Sequence, residues 1–122
     1  ERKELGVIVD QIGTPTYARD LAKTILEIFP KINYKNVEVF HFSNEGVCSW
    51  YDFANAIFEI KGINVKVNAL ETFQYPTSAQ RPSYSVLNKN KIKNKFQIEI
   101  PNWKDSLIVC LQRLNVQKQS NA

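Results

Sequence analysis

The stretch VCSWYDFANAIFEI, residues 47–60, carries a helix start, a buried face and a stop within a few residues. Ser49 stands where an N-cap hydroxyl accepts a hydrogen bond from an early backbone N–H, and Asp52, three places later, can reach back to the cap's own N–H. Cys48 and Phe53 occupy the flanking positions of a hydrophobic staple. Trp50, Phe53, Ala54, Ile57 and Phe58 recur at three- and four-residue spacing, which lays one apolar stripe along the helix, and Gly62 is placed to end it. A second reading makes Ser49 a nucleophile beside a cleft. A nucleophile needs a base, and the single histidine, His41, lies in an apolar run with no fixed relation to Ser49. The helix start is preferred.

Outward from this helix, short β-like and longer helical stretches alternate. LGVIVDQ reads as a buried strand around Val7 to Val9, broken by Gly13 and Pro15 in IGTP. A helix is expected from about Thr16, with Ala18, Leu21, Ala22, Ile25, Leu26 and Phe29 on one face until Pro30. VEVFHFS reads as the next strand, closed by the turn NEG, with His41 a satisfied strand residue. INVKVNAL alternates Val65 and Val67 against Lys66 and Asn68, as a half-exposed strand does. Residues 71 to 87 form a long irregular stretch containing Pro76 and Pro82, and such loops in a compact domain often bind a ligand. PNWKDSLIVCLQRL repeats the capping grammar, with Asn102 at the N-cap, Asp105 at N3, and Trp103, Leu107, Ile108, Leu111 and Leu114 as a face. The expected architecture is α/β, short strands with three to four helices in one domain over residues 1–114, followed by a polar, frayed tail over 115–122.

Composition narrows the class. A chain of 122 residues with 43% hydrophobic and 11% aromatic content can fill one core. No apolar run approaches the roughly 18 residues a membrane helix requires, and ERKELGVIVDQ lacks the order of a signal peptide, so a soluble, cytoplasmic protein without membrane contact is expected. Cys48 and Cys110 make neither a disulfide framework nor a CxxC pair, and one histidine leaves too few soft ligands for zinc, so no metal site is expected and both thiols read as buried or inert. The net charge of +4 concentrates at Lys89, Lys91, Lys93 and Lys95. Phe96 is the one aromatic neighbour there, which makes no stacking platform, so a solvated, locally helical segment is preferred over a nucleic-acid-binding patch.

Two catalytic signatures are missing. The four glycines, Gly6, Gly13, Gly46 and Gly62, are too dispersed for a dinucleotide loop or a P-loop, which need clustered glycines for close backbone approach to phosphate. None of the five tyrosines is followed four residues later by a lysine, which removes the Tyr-x-x-x-Lys pair of short-chain reductases. An acid/base pair assembled in space from Asp10, Asp20, Glu45 and Asp52 stays open, although no spacing recommends it.

Four stretches in order, VDQIGTPTYARDLA (9–22), FHFSNEGVCSWYDFANAIFE (40–59), YPTSAQRPSYSVLNKNKI (75–92) and IPNWKDSL (100–107), resemble the C-terminal part of the dTDP-4-dehydrorhamnose reductases, a family of extended short-chain dehydrogenase/reductases. The resemblance runs from about Gly6 to Leu114. It implies that this chain is the C-terminal substrate-binding portion of such an enzyme, with the Rossmann domain, its NADPH and the Tyr-Lys pair absent. No cofactor and no catalytic residue are then expected here, and the chain alone is expected to be inactive. The implied activity of the whole enzyme is NADPH-dependent reduction of the C4 keto group of dTDP-4-dehydro-L-rhamnose for surface polysaccharide synthesis. The implied partners are a nucleotide-sugar and the Rossmann domain, and exposed interface surface implies self-association of the isolated chain.

Within that frame Arg81, held by Pro82, is the first choice for the nucleotide-sugar pyrophosphate, because a guanidinium fork matches paired phosphate oxygens. The alternative is an ordinary exposed loop charge. DQIGTPT reads as architectural, with Asp10 and Thr14 bonding nearby backbone, Gly13 permitting a positive φ and Pro15 fixing the turn. Gln11 and Thr16 are the further substrate-binding candidates. Trp50 and Trp103 read as core or interface packing. The rival function is a non-catalytic reductase-like regulatory or partner-binding domain.

Overall fold

The computed structural model describes residues 3–33 and 35–121. The fold is α/β. Strand β1 (Glu4–Ile8) pairs in parallel with β4 (Lys66–Leu70), in the register Glu4 to Lys66 through Ile8 to Leu70. Parallel neighbours need a crossover, and helix α2 (Trp50–Lys61), which lies between them in sequence, packs against both strands. Gly6 sits where a Cβ would come within 2.6 Å of Leu70 Cδ1, so the close approach of the two strands depends on the missing side chain. A second, very short sheet pairs β2 (Ile12–Gly13) antiparallel with β3 (Cys48–Ser49), immediately before α2.

The reading of residues 47–60 holds in detail. Ser49 Oγ accepts from Asp52 N at 3.0 Å while Ser49 N donates to Asp52 Oδ2 at 2.9 Å. Gly62 closes the helix in the left-handed conformation at φ 63°, and Ile63 N reaches Phe58 O at 2.9 Å. Of the expected stripe, Phe53, Ala54, Ile57 and Phe58 are half-buried and Trp50 is open. Ala56 is the buried residue of the helix and Trp50 is 57% exposed, because a residue in the first helical turn beside an open cleft is not covered from the other side.

Helix α1 (Ala18–Ile28) starts two residues later than the periodicity suggests. Pro15 precedes it and Tyr17 keeps extended backbone at the N-cap, its N–H donating to Asn44 Oδ1 at 2.8 Å. The apolar stripe of α1 faces outward: Leu26 is 76% and Ile25 49% exposed, while Thr24 is the buried residue. VEVFHFS is not a strand. Its backbone finds no partner strand among the described residues, and His41 is exposed on an unpaired segment rather than satisfied in a sheet. Phe40 and Phe42 still turn inward, onto a core of Ile92, Phe96 and Ile98, with the Phe40 and Phe96 rings 5.3 Å apart.

That core is covered by α3 (Asn90–Phe96), the helical segment expected in the lysine run. It is less solvated than its composition suggests. Lys89, just before it, is 8% exposed, Lys93 pairs with Glu45 at 2.9 Å, and Lys95 pairs with Glu38, which holds the Glu38 carboxyl below its ordinary value. Helix α4 (Trp103–Ser120) is capped by Asn102 Oδ1, which accepts from Lys104 N at 2.9 Å. It carries helical backbone through the polar residues after Leu114, whose side chains are exposed. No helix among the described residues is long and apolar enough to cross a membrane.

Candidate functional site

Ile12 is the junction on which the site is built. Beyond its pairing with Ser49, its N–H donates to Ser83 O at 2.9 Å and its carbonyl accepts from Ser85 N at 2.8 Å, so the irregular stretch 71–87 is drawn alongside β2. Three pieces of chain thereby enclose a cavity of about 660 Å3: Gln11 to Pro15, Cys48 to Trp50 with Phe53, and the loop bearing Tyr75, Thr77, Arg81, Pro82 and Ser85. Gly13 is not in a positive-φ conformation, contrary to expectation. It is extended within β2, and a Cβ there would lie 3.0 Å from Ser85 Oγ, so its role is close approach of the two walls.

The architectural reading of DQIGTPT is right in kind, but its bonds are long-range. Thr14 Oγ1 donates to Gly46 O at 2.6 Å, fixing the wall to the turn before β3. Asp10 accepts from Thr72 Oγ1 at 2.7 Å and from Thr72 N at 3.0 and 3.1 Å, and these bonds, the hydroxyl first, hold its carboxyl below the ordinary value of 3.8. Thr72 opens the short 3-10 turn Thr72–Gln74, so the clip anchors the start of the cavity loop.

Of the three residues singled out for substrate, Arg81 and Gln11 line the cavity. Gln11 Nε2 donates to Thr72 Oγ1 at 3.3 Å, which orients its side chain. Thr16 is exposed and outside the lining, a place taken instead by Thr14 and Pro15. Trp50 and Tyr75, 57% and 59% exposed, also line the cavity; periodicity read Trp50 as a packing aromatic, and Tyr75 lies in the irregular stretch expected to bind a ligand without being singled out. Trp103 does pack, its ring 6.1 Å from that of Phe53.

A buried polar cluster supports the site from behind. Asn44, with no exposed surface, accepts from Tyr17 N, and its Nδ2 lies 2.7 Å from Asp20 Oδ2, 3.0 Å from Ser106 Oγ and 3.2 Å from Pro101 O. Ser106 Oγ donates in turn to Asp20. This joins the starts of α1 and α4 to the turn that holds Thr14. The only signal in the sequence was the turn NEG, which did not mark Asn44 as buried.

The cavity lining contains no prepared nucleophile. Ser49 is 2% exposed with its oxygen engaged by the cap. Burial, with a smaller contribution from the Asp52 charge, pushes the Cys48 thiol up to about 11, so it stays protonated and unreactive near neutral pH. Among the described residues no group of three or more His, Cys, Asp and Glu side chains is placed to hold a metal ion. What the lining offers is binding chemistry: one guanidinium, the exposed rings of Trp50 and Tyr75 beside the half-buried Phe53, and hydroxyl and amide groups.

Residues 1–116 match the family model described as RmlD substrate binding domain. The chain is 38% identical over 111 residues to the spore coat polysaccharide biosynthesis protein SpsK of Bacillus subtilis, covering 91% of this chain and 38% of that protein. It is 40% identical over 116 residues to the dTDP-4-dehydrorhamnose reductase of Aggregatibacter actinomycetemcomitans, covering 87% of this chain and 39% of the reductase. Among solved structures, a dTDP-4-dehydrorhamnose reductase from Clostridium acetobutylicum superposes with a TM-score of 0.84 at 41% identity, covering 93% of this chain and 40% of that one. The reductase from Bacillus anthracis, solved in complex with NADP, gives 0.78 at 34% identity, with 88% and 37% covered. The chain thus spans about two-fifths of the length of the relatives it matches.

Proposed function

The chain belongs to the RmlD substrate binding domain family, and from that premise we propose that its cavity holds the nucleotide-sugar of a dTDP-4-dehydrorhamnose reductase reaction. The observation that carries the proposal is the position of Arg81 on the wall of a cavity completed by Trp50 and Tyr75. The guanidinium binds the pyrophosphate through a two-pronged fork, and the aromatic rings give faces for the thymine or the sugar. Gln11 supplies an amide to the same ligand. The reaction served is reduction of the C4 keto group of dTDP-4-dehydro-L-rhamnose to dTDP-L-rhamnose.

The hydride for that reduction comes from NADPH. The residues described here do not build a place for it: no glycine-rich turn follows β1, and the glycine of the cavity wall, Gly13, sits against Ser85 rather than opening a phosphate cradle. No step of hydride transfer is therefore assigned to these residues, and their part is to bind and orient the sugar.

The nucleotide-binding domain of the reductase is the partner that covers the outward face of α1. Ile25 and Leu26 on α1, and Val37 and Val39 in the segment that finds no strand partner among the described residues, are exposed apolar side chains for such a partner to cover. The same surface drives self-association when that domain is absent. Two free thiols, Cys48 and Cys110, suit a reducing compartment, and the cytoplasm is the proposed location.

Isothermal titration of dTDP and dTDP-rhamnose against wild type and Arg81→Lys tests the central point. The lysine keeps the charge and loses the fork, so affinity should fall by about 1.5–3 kcal/mol, roughly ten- to a hundredfold. Equal affinities, with melting curves showing both proteins folded, would return Arg81 to the class of exposed loop charges.

A further inference from the structure

Behind the wall that carries Ser85 lies a second, smaller cavity of about 360 Å3. Its lining includes Tyr84 and Val86, which alternate with Ser85 along an extended segment and so face away from the first cavity. The opposite side is Glu45, Lys89 and Lys93, with Asn88 and Asn90. Lys89 and Lys93 are four residues apart, the spacing that puts two side chains on one helix face.

The charges here do not balance. Lys89 is 8% exposed, yet its ammonium finds only Leu87 O at 3.5 Å and Glu45 Oε2 at 4.0 Å among the described residues, both at the outer limit of a useful contact. Glu45 Oε1 is committed to Lys93 at 2.9 Å. Two ammonium groups face one carboxylate, which leaves one net positive charge concentrated on the more buried lysine. A buried ammonium with three N–H donors and no close acceptor is costly unless a ligand supplies acceptors.

We infer that this cavity binds a small phosphate-like oxyanion, held by Lys89 with Lys93 at its side. Such an anion brings several acceptor oxygens and the missing negative charge in one group. A cation would meet two ammonium groups, and an apolar ligand would strip them of solvent without replacing it. The inference stands independently of the nucleotide-sugar reading of the larger cavity.

The test is an amide-resolved NMR titration of the 122-residue chain with sodium phosphate and with sulfate at constant ionic strength, the latter condition removing general screening. Saturable shifts centred on Lys89 to Lys93 are expected. Lys89→Met should weaken phosphate binding about tenfold or more, and Glu45→Gln, which removes the competing carboxylate, should tighten it severalfold. Arg81→Lys should leave the phosphate shifts centred on Lys89 to Lys93 as they are while weakening dTDP, which separates this site from the larger cavity. Unsaturable shifts, equal affinity in Lys89→Met, weaker binding in Glu45→Gln, or shifts at Lys89 to Lys93 that follow Arg81 would each overturn the assignment. Circular dichroism establishes that each variant is folded, and the Glu45→Gln arm keeps the test decisive if Lys89→Met is not.

Discussion

Asp10 and Thr72 are joined three ways across 62 residues: the carboxylate accepts the Thr72 hydroxyl at 2.7 Å and the Thr72 N–H through both oxygens, at 3.0 and 3.1 Å. The clip ties the end of the parallel sheet to the start of the loop that carries Tyr75 and Arg81. Its acid response has a definite sign. The Asp10 carboxyl is held below 3.8 in the folded chain, so its stabilisation is fully present above that value and is lost as pH falls through the lower, folded one. Asp10→Asn should melt below wild type at neutral pH, and the two curves should converge in strong acid. A gap that stays constant with pH would show that the charge is not what stabilises the clip.

Ser49→Ala removes one half of a reciprocal cap and should cost about 1 kcal/mol in urea unfolding with the slope unchanged. The hydroxyl is turned inward to Asp52, so dTDP affinity should stay at the wild-type value although Ser49 borders the cavity. Lost affinity at unchanged stability would give that oxygen a ligand instead.

Asn44→Ala should be much more damaging, by about 2 kcal/mol or more, because it strands the Tyr17 N–H and partners of the amide in a place water does not reach. Asn44→Asp keeps the shape but sets a carboxylate beside Asp20, and should rescue nothing at neutral pH. Thermal melts of both variants check this. An Asn44→Asp protein as stable as wild type would show that donation by Asn44 Nδ2 is not what holds the cluster.

Mixed with NADPH and dTDP-4-dehydrorhamnose, the 122-residue chain should leave the NADPH absorbance constant, since among the described residues no glycine-rich turn follows β1 to hold the hydride donor. Turnover by the purified chain would move chemistry into this cavity and reopen the roles of its hydroxyl groups.

Local chemistry made much of this legible from sequence. The capping box at Ser49 and Asp52, the left-handed stop at Gly62, the Asn102 cap and the helix in the lysine run depend on hydrogen bonds and backbone preferences within a few residues, and each formed where the residue order said it would. The ordered motifs likewise carried the family, and with it Arg81 and Gln11 as candidates for the ligand.

Tertiary structure alone decided the rest, because burial depends on what lies across from a residue. The stripe of α1 has the spacing of a core face yet points outward, and VEVFHFS has the composition of a strand yet pairs with none, since a strand exists only when a second backbone supplies its donors and acceptors. Trp50 and Tyr75 became cavity walls when Ile12 drew residues 83–85 beside β2, and Lys89 became a buried charge when α3 closed on Phe40 and Phe42. Those contacts join residues tens of positions apart, a distance over which periodicity and capping carry no information.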